Sequence, residues 1–224
     1  MSRKNASTDE RPLRDHPSVL ACVVEDAHER ARVALTARAS SPLDAVVWLS
    51  AHLAAVGRVI TPVAMRRIEE TATVRREAHR RDLDLERMLR IAERRHTGDV
   101  LASGLDGERV RTSILSRLDA HTEIEHARLT ALADLLDDEQ QRTLAEDYLD
   151  ALKKGPTRPH PHLPHRGLSG AIAFRANAVR DRLLDTMDSR HVPLPRVPHE
   201  ARQPGRWGSY LLGHMQPEVV DPAR

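Results

Sequence analysis

Between residues 16 and 136, apolar residues recur at steps of three and four, and no segment alternates in the β manner. A period near 3.6 is the mark of amphipathic helices that each bury one face. The pattern predicts four long helices, over residues 17–39, from Pro42 onward, over 72–95 and over 108–136. Ser40-Ser41-Pro42 breaks the first from the second, with Ser41 as N-cap and Pro42 at the first helical position. Pro62 predicts a stop or bend in the second helix. Gly98, Gly104 and Gly107 separate the third from the fourth. The second helix carries Leu49, His52, Val56, Val59 and Val63 on one face. The fourth carries Val110, Ile114, Leu118, His121, Glu125, Leu129 and Leu132 on one stripe. A shorter helix over 138–154 ends at Gly155-Pro156. Residues 156–165 are too proline-rich for helix or central strand. One more amphipathic helix over 170–189 precedes a proline-rich tail with Trp207 and Tyr210. The expected organisation is an all-α fold with a polar N-terminal segment over 1–15 and a helical bundle over 16–154. A proline-rich linker, helix and tail over 155–224 would lie on the bundle surface or be partly disordered.

Composition narrows this picture modestly. A chain of 224 residues can bury one sizeable core. Its 35 basic and 33 acidic residues nearly cancel, so no global field would draw in nucleic acid or membrane. The pI of 9.0 comes from a basic set that is almost all arginine; Lys4, Lys153 and Lys154 are the lysines. That bias reads as the mark of a GC-rich bacterial genome. Arginine pairs such as Arg75-Arg76 and Arg80-Arg81 alternate with acids, as on a solvated helix face. Cys22 is the single cysteine, so no internal disulfide can form. The N-terminus lacks the apolar core of a signal peptide, and no apolar run approaches a membrane span. A soluble cytoplasmic protein is expected.

The chemistry lies in the histidines. Asp26-Ala27-His28-Glu29-Arg30 is echoed by Glu77-Ala78-His79-Arg80-Arg81. Leu49-Ser50-Ala51-His52 is echoed by Leu118-Asp119-Ala120-His121. The midpoint of His28 and His52 is position 40, on the first break, and that of His79 and His121 is position 100, in the glycine-containing connection. In antiparallel helix pairs both would therefore meet at one level of the bundle. His28 shares a stripe with Val24, Ala31 and Leu35. His79 lies about a quarter turn from the face of Leu85, Leu89 and Ala92, where His96 competes with it, but the repeated acid-Ala-His-x-Arg context favours His79. Glu125, four residues after His121, projects from the same helix face. Burying both is costly without a proton, a cation or hydrogen bonds. A metal ion would supply that compensation. Glu123 and His126 would point elsewhere on the helix.

With these residues the chain resembles the hemerythrin-like family, whose cation-binding domain repeats a helix with one His and a helix with His-x-x-x-Glu. The resemblance spans about residues 16–136 and implies a four-helix up-down bundle with additional C-terminal helices. It maps metal ligands onto His28, His52, His79, His121 and Glu125, and iron as the metal. Pro62 stands where relatives often end the second helix, and the Thr-Arg-Pro-His-Pro-His stretch is similar to a segment that follows this domain in some bacterial relatives. One position departs: the family's first glutamate would fall at position 56, where this chain has Val56. A lopsided di-iron site, a single metal or no metal all follow as outcomes.

The expected function is a non-haem iron protein that binds or senses dioxygen or a related oxidant, and not an enzyme. The alternative is a metal-free bundle kept as an interaction or regulatory module, with the C-terminal extension docking a protein partner. The chain has no Gly-x-Ser-x-Gly, phosphate loop, His-Glu-x-x-His or dinucleotide fingerprint.

Overall fold

The computed structural model describes residues 18–37, 42–99, 104–160 and 176–185. Ser41, the 1–15 segment, His162, His165 and the tail with Trp207 and Tyr210 lie outside the described residues. Among those described the protein is mostly helical and has no strand.

Helix α1, Val19–Thr36, starts where the Ser18 hydroxyl accepts the Ala21 N–H at 3.1 Å. It buries Leu20, Val24, Ala27, His28, Ala31 and Leu35. Helix α2, Pro42–Ala55, is buried at every position from Ala45 onward. Pro62, where a stop or bend is expected, does not end the helical run. The chain instead widens into a π turn, Val56–Ile60, and re-enters α geometry as α3, Thr61–Arg67. Pro62 falls in the first turn of α3, where the hydrogen-bond register changes and its missing N–H leaves the fewest broken bonds. The continuous stretch Pro42–Arg67 is long and apolar enough to cross a membrane by length and composition, but 67% of that window is buried inside the protein. It is the central helix of the core.

Helix α4, Ala72–His96, is capped by Thr71 and buries Ala78, Leu85, Leu89 and Ala92. It stops at Gly98, whose φ of 79° lets the Asp99 N–H turn back to the Arg94 carbonyl at 3.0 Å. Helix α5, Gly107–Leu135, buries Val110, Ile114, Leu118, His121, Glu125, Leu129 and Leu132, the stripe that periodicity predicts. Helix α6, Asp138–Lys154, opens with a capping box between Asp137 and Gln140.

Specific pairs set the packing. His28 on α1 meets His52 on α2. Along α1, His28, Arg32 and Leu35 meet Glu125, Asp119 and Arg111 of α5 in turn, so these two helices are antiparallel. Asp82 and Arg95 of α4 meet His121 and Gly107, at the middle and the start of α5, again antiparallel. Helix α2 also packs on α4, and α6 lies over α1, α2 and the π turn.

The segment after α6 differs from the expected exposed linker. Gly155, Pro156, Thr157 and Pro159 are buried. Their backbone polarity is absorbed by a helical stretch at 176–185. Asp181, fully buried, accepts the N–H groups of Thr157 and Arg158 at 3.1 and 3.0 Å, and pairs with His160 Nε2 at 3.0 Å. Asp185 accepts the Thr157 hydroxyl, and the Arg158 guanidinium bridges Asp185 to Glu93 of α4. Replacing Asp181 with Ala leaves two buried N–H groups without acceptors, a loss of roughly 2–4 kcal/mol. Urea unfolding of Asp181→Ala should show that loss; wild-type stability would mean the 176–185 stretch does not hold this segment.

Candidate metal centre

Four side chains from three helices converge in the core: His28 from α1, His52 from α2, and His121 and Glu125 one turn apart on α5. All four are at most 4% exposed. One donor atom from each lies within 4.8 Å of every other. His52 Nε2 is the hub, 3.1 Å from His28 Nε2, 3.1 Å from His121 Nε2 and 3.4 Å from Glu125 Oε2. Glu125 Oε2 is also 2.8 Å from His28 Nε2 and 3.4 Å from His121 Nε2. An ion bonded to four such donors at about 2.0 Å in a tetrahedron holds them roughly 3.3 Å apart. Five of the six edges, at 2.8–3.4 Å, bracket that spacing. Neither oxygen of Glu125 is aligned with a hydrogen-bond donor despite these short distances. The donor set therefore fits a transition-metal ion.

Outward-facing nitrogens are held in two of the three rings. His121 Nδ1 lies 2.8 Å from Asp82 Oδ1 of α4, so a proton there donates to the carboxylate and leaves the Nε2 lone pair facing the cluster. His52 Nδ1 lies 2.8 Å from the hydroxyl of Tyr148 on α6. His28 Nδ1 is buried without a hydrogen-bond partner among the described residues.

His79 is not brought to this group. Its side chain is exposed, because the buried stripe of α4 runs through Ala78, Leu85 and Leu89 and one further residue rotates about 100° away. His96 is exposed at the end of the same helix. What α4 contributes instead is Asp82, four residues from Ala78 and close to its stripe. An acid on an apolar stripe was the signal for it. Tyr148 carried a similar one, an aromatic with a hydroxyl midway between Leu144 and Leu152 on the buried face of α6. Glu123 and His126 face outward, toward Arg81 and Glu25.

Val56 is buried where the π turn begins. With Ile60, Thr61, Asp82, His121 and Glu125 it lines a cavity of about 10 Å³ beside the cluster, room for one water-sized molecule. Arg81 and Arg128 also border it, and Arg128 is tied to Glu70 by two hydrogen bonds.

The electrostatics follow from burial against pairing. Burial drives the His52 imidazole down to about 4, outweighing the pull of Glu125. Burial also opposes a charge on His121, but the carboxylates of Glu125 and Asp82 prevail and lift it to about 10. Glu125 would be raised by burial, yet His52 and His121 hold it well below the usual carboxylate range. Burial pushes the Tyr148 phenol well above its ordinary value. Without a metal, His121 stays protonated at neutral pH beside the ionised Glu125.

No family profile, no curated protein and no solved structure matches this chain.

An NMR titration of the histidine rings in chelator-treated protein checks this balance. His121 should release its proton only near pH 10 and His52 gain one only near pH 4, while Glu125→Gln should bring the His121 midpoint down. A His121 midpoint near 6.5 in the unsubstituted chain would show that the two carboxylates do not act on it.

Proposed function

We propose that this protein is a hemerythrin-like non-haem iron protein that holds one iron through His28, His52, His121 and Glu125 and binds or senses dioxygen or a related small oxidant. The observation that carries the reading is the convergence of three imidazole nitrogens and one carboxylate oxygen at near-tetrahedral spacing in a buried core. The antiparallel contacts of α1 with α5 and of α4 with α5 support an up-down bundle of hemerythrin type. A single ion is favoured over a pair. Position 56 offers an isopropyl group instead of a second carboxylate, and His79 faces solvent. Iron supplies reversible electron transfer and an affinity for oxygen species when bound. The chain's residues orient the donors, exclude water and leave one small cavity against His121 and Glu125.

A second reading is a metal-free helical module with a regulatory or interaction role. What favours it is the charge balance of protonated His121 against Glu125, which lets the cluster stay buried without a cation.

The two readings separate on metal content. Protein from iron-supplemented cells should contain about one iron per chain, and its absorption should change on admitting air. His121→Ala should lose the iron while remaining helical by circular dichroism. A colourless, fully folded, iron-free wild-type protein would leave the second reading standing.

A further inference from the structure

None of the four donors comes from α6, yet α6 reaches the cluster. Tyr148 is fully buried at the middle of that helix, and its hydroxyl is 2.8 Å from His52 Nδ1. The rings meet edge to face, with centroids 6.0 Å apart and planes at 75°. The position of the hydroxyl is fixed from several sides. Leu144 and Leu152, one turn before and one turn after Tyr148, are buried in the core. At the end of the helix Gly155 approaches the backbone of Ala51, the residue before His52. A Cβ on Gly155 would lie 3.2 Å from Ala51 Cα and 3.3 Å from its carbonyl oxygen. Helix α6 is thus seated in backbone contact with α2 beside the ligand.

Among the three imidazoles, His52 makes the most close contacts within the cluster. Its Nε2 sits 3.1–3.4 Å from each of the other three donor atoms. A rotation of this one ring would disturb three edges of the tetrahedron at once. A neutral imidazole can offer Nε2 to an ion only when its proton is on Nδ1, and that nitrogen faces Tyr148.

We propose that Tyr148 is a positioning residue of the metal centre: its hydroxyl oxygen accepts the Nδ1–H of His52, fixing the ring's rotation and tautomer, and so makes α6 part of the site. This rests on the reading that the four donors hold a metal. Ligating histidines generally depend on such an outer partner, and its loss lowers metal affinity roughly 10–100-fold. Asp82 plays the corresponding part for His121.

The test uses the full chain and cobalt(II) alone, whose visible bands report donor geometry. Tyr148→Phe removes one oxygen and keeps the ring. It should bind cobalt about 10–100-fold more weakly than wild type, with shifted bands and unchanged helicity. Leu136→Ala, buried in the core outside α6, should lower the melting temperature and leave cobalt affinity within about twofold. In zinc-loaded wild-type protein, ¹⁵N NMR should show the His52 proton on Nδ1, a result independent of how either variant folds. Wild-type affinity and spectrum in Tyr148→Phe, equal weakening in Leu136→Ala, or a His52 proton on Nε2 would each overturn the role of Tyr148 alone. A wild-type chain that takes up no cobalt or zinc would overturn the metal reading along with it.

Discussion

Everything else in this fold is arranged around one constraint: a carboxylate and three imidazoles must share a few cubic ångströms inside an alanine- and leucine-rich core. Such groups are costly to bury without compensation. Each of the four also finds partners on other elements. His28 meets His52 and Glu125, His52 meets Tyr148, and His121 meets Asp82. The cluster therefore ties five helices to one depth. Apolar packing alone tolerates small slips in register, whereas polar contacts near 3 Å do not.

The same constraint explains the irregularities nearby. The π turn at Val56–Ile60 begins four residues after His52 and carries the backbone past Pro62 without breaking the central helix. It also puts Val56 and Ile60 against the small cavity that borders His121 and Glu125. Single π turns often accompany functional sites because the widened backbone re-aims the side chains on it. The close seating of Gly155 on Ala51 has a comparable effect, since any side chain there would hold α6 away from His52.

Beyond the bundle, the segment 156–160 shows how a proline-rich stretch can be buried. Prolines remove N–H donors, and the N–H groups of Thr157 and Arg158 are both taken up by Asp181. Arg158 then joins Glu93 to Asp185. Polyproline character in the sequence marks absence of regular hydrogen bonding. It does not mark exposure.

Much of the architecture was legible in the chain itself. Periodicity near 3.6 locates the helices, since it is set by neighbours a few residues apart. The buried stripe of α5, including His121 and Glu125, follows from spacing alone. So did the matching depth of His28 and His52, because antiparallel geometry makes it a matter of counting from the break. What spacing could not decide was which side of α4 faces the site. His79 and Asp82 are three residues apart, and a modest rotation of the helix exchanges them. That rotation is set by how Leu85, Leu89 and Ala92 pack against α2 and α5. Nor could it join Tyr148 to His52 across 96 positions, or Asp181 to Thr157. Those contacts depend on how separate helices seat against each other, and only the tertiary structure decides that.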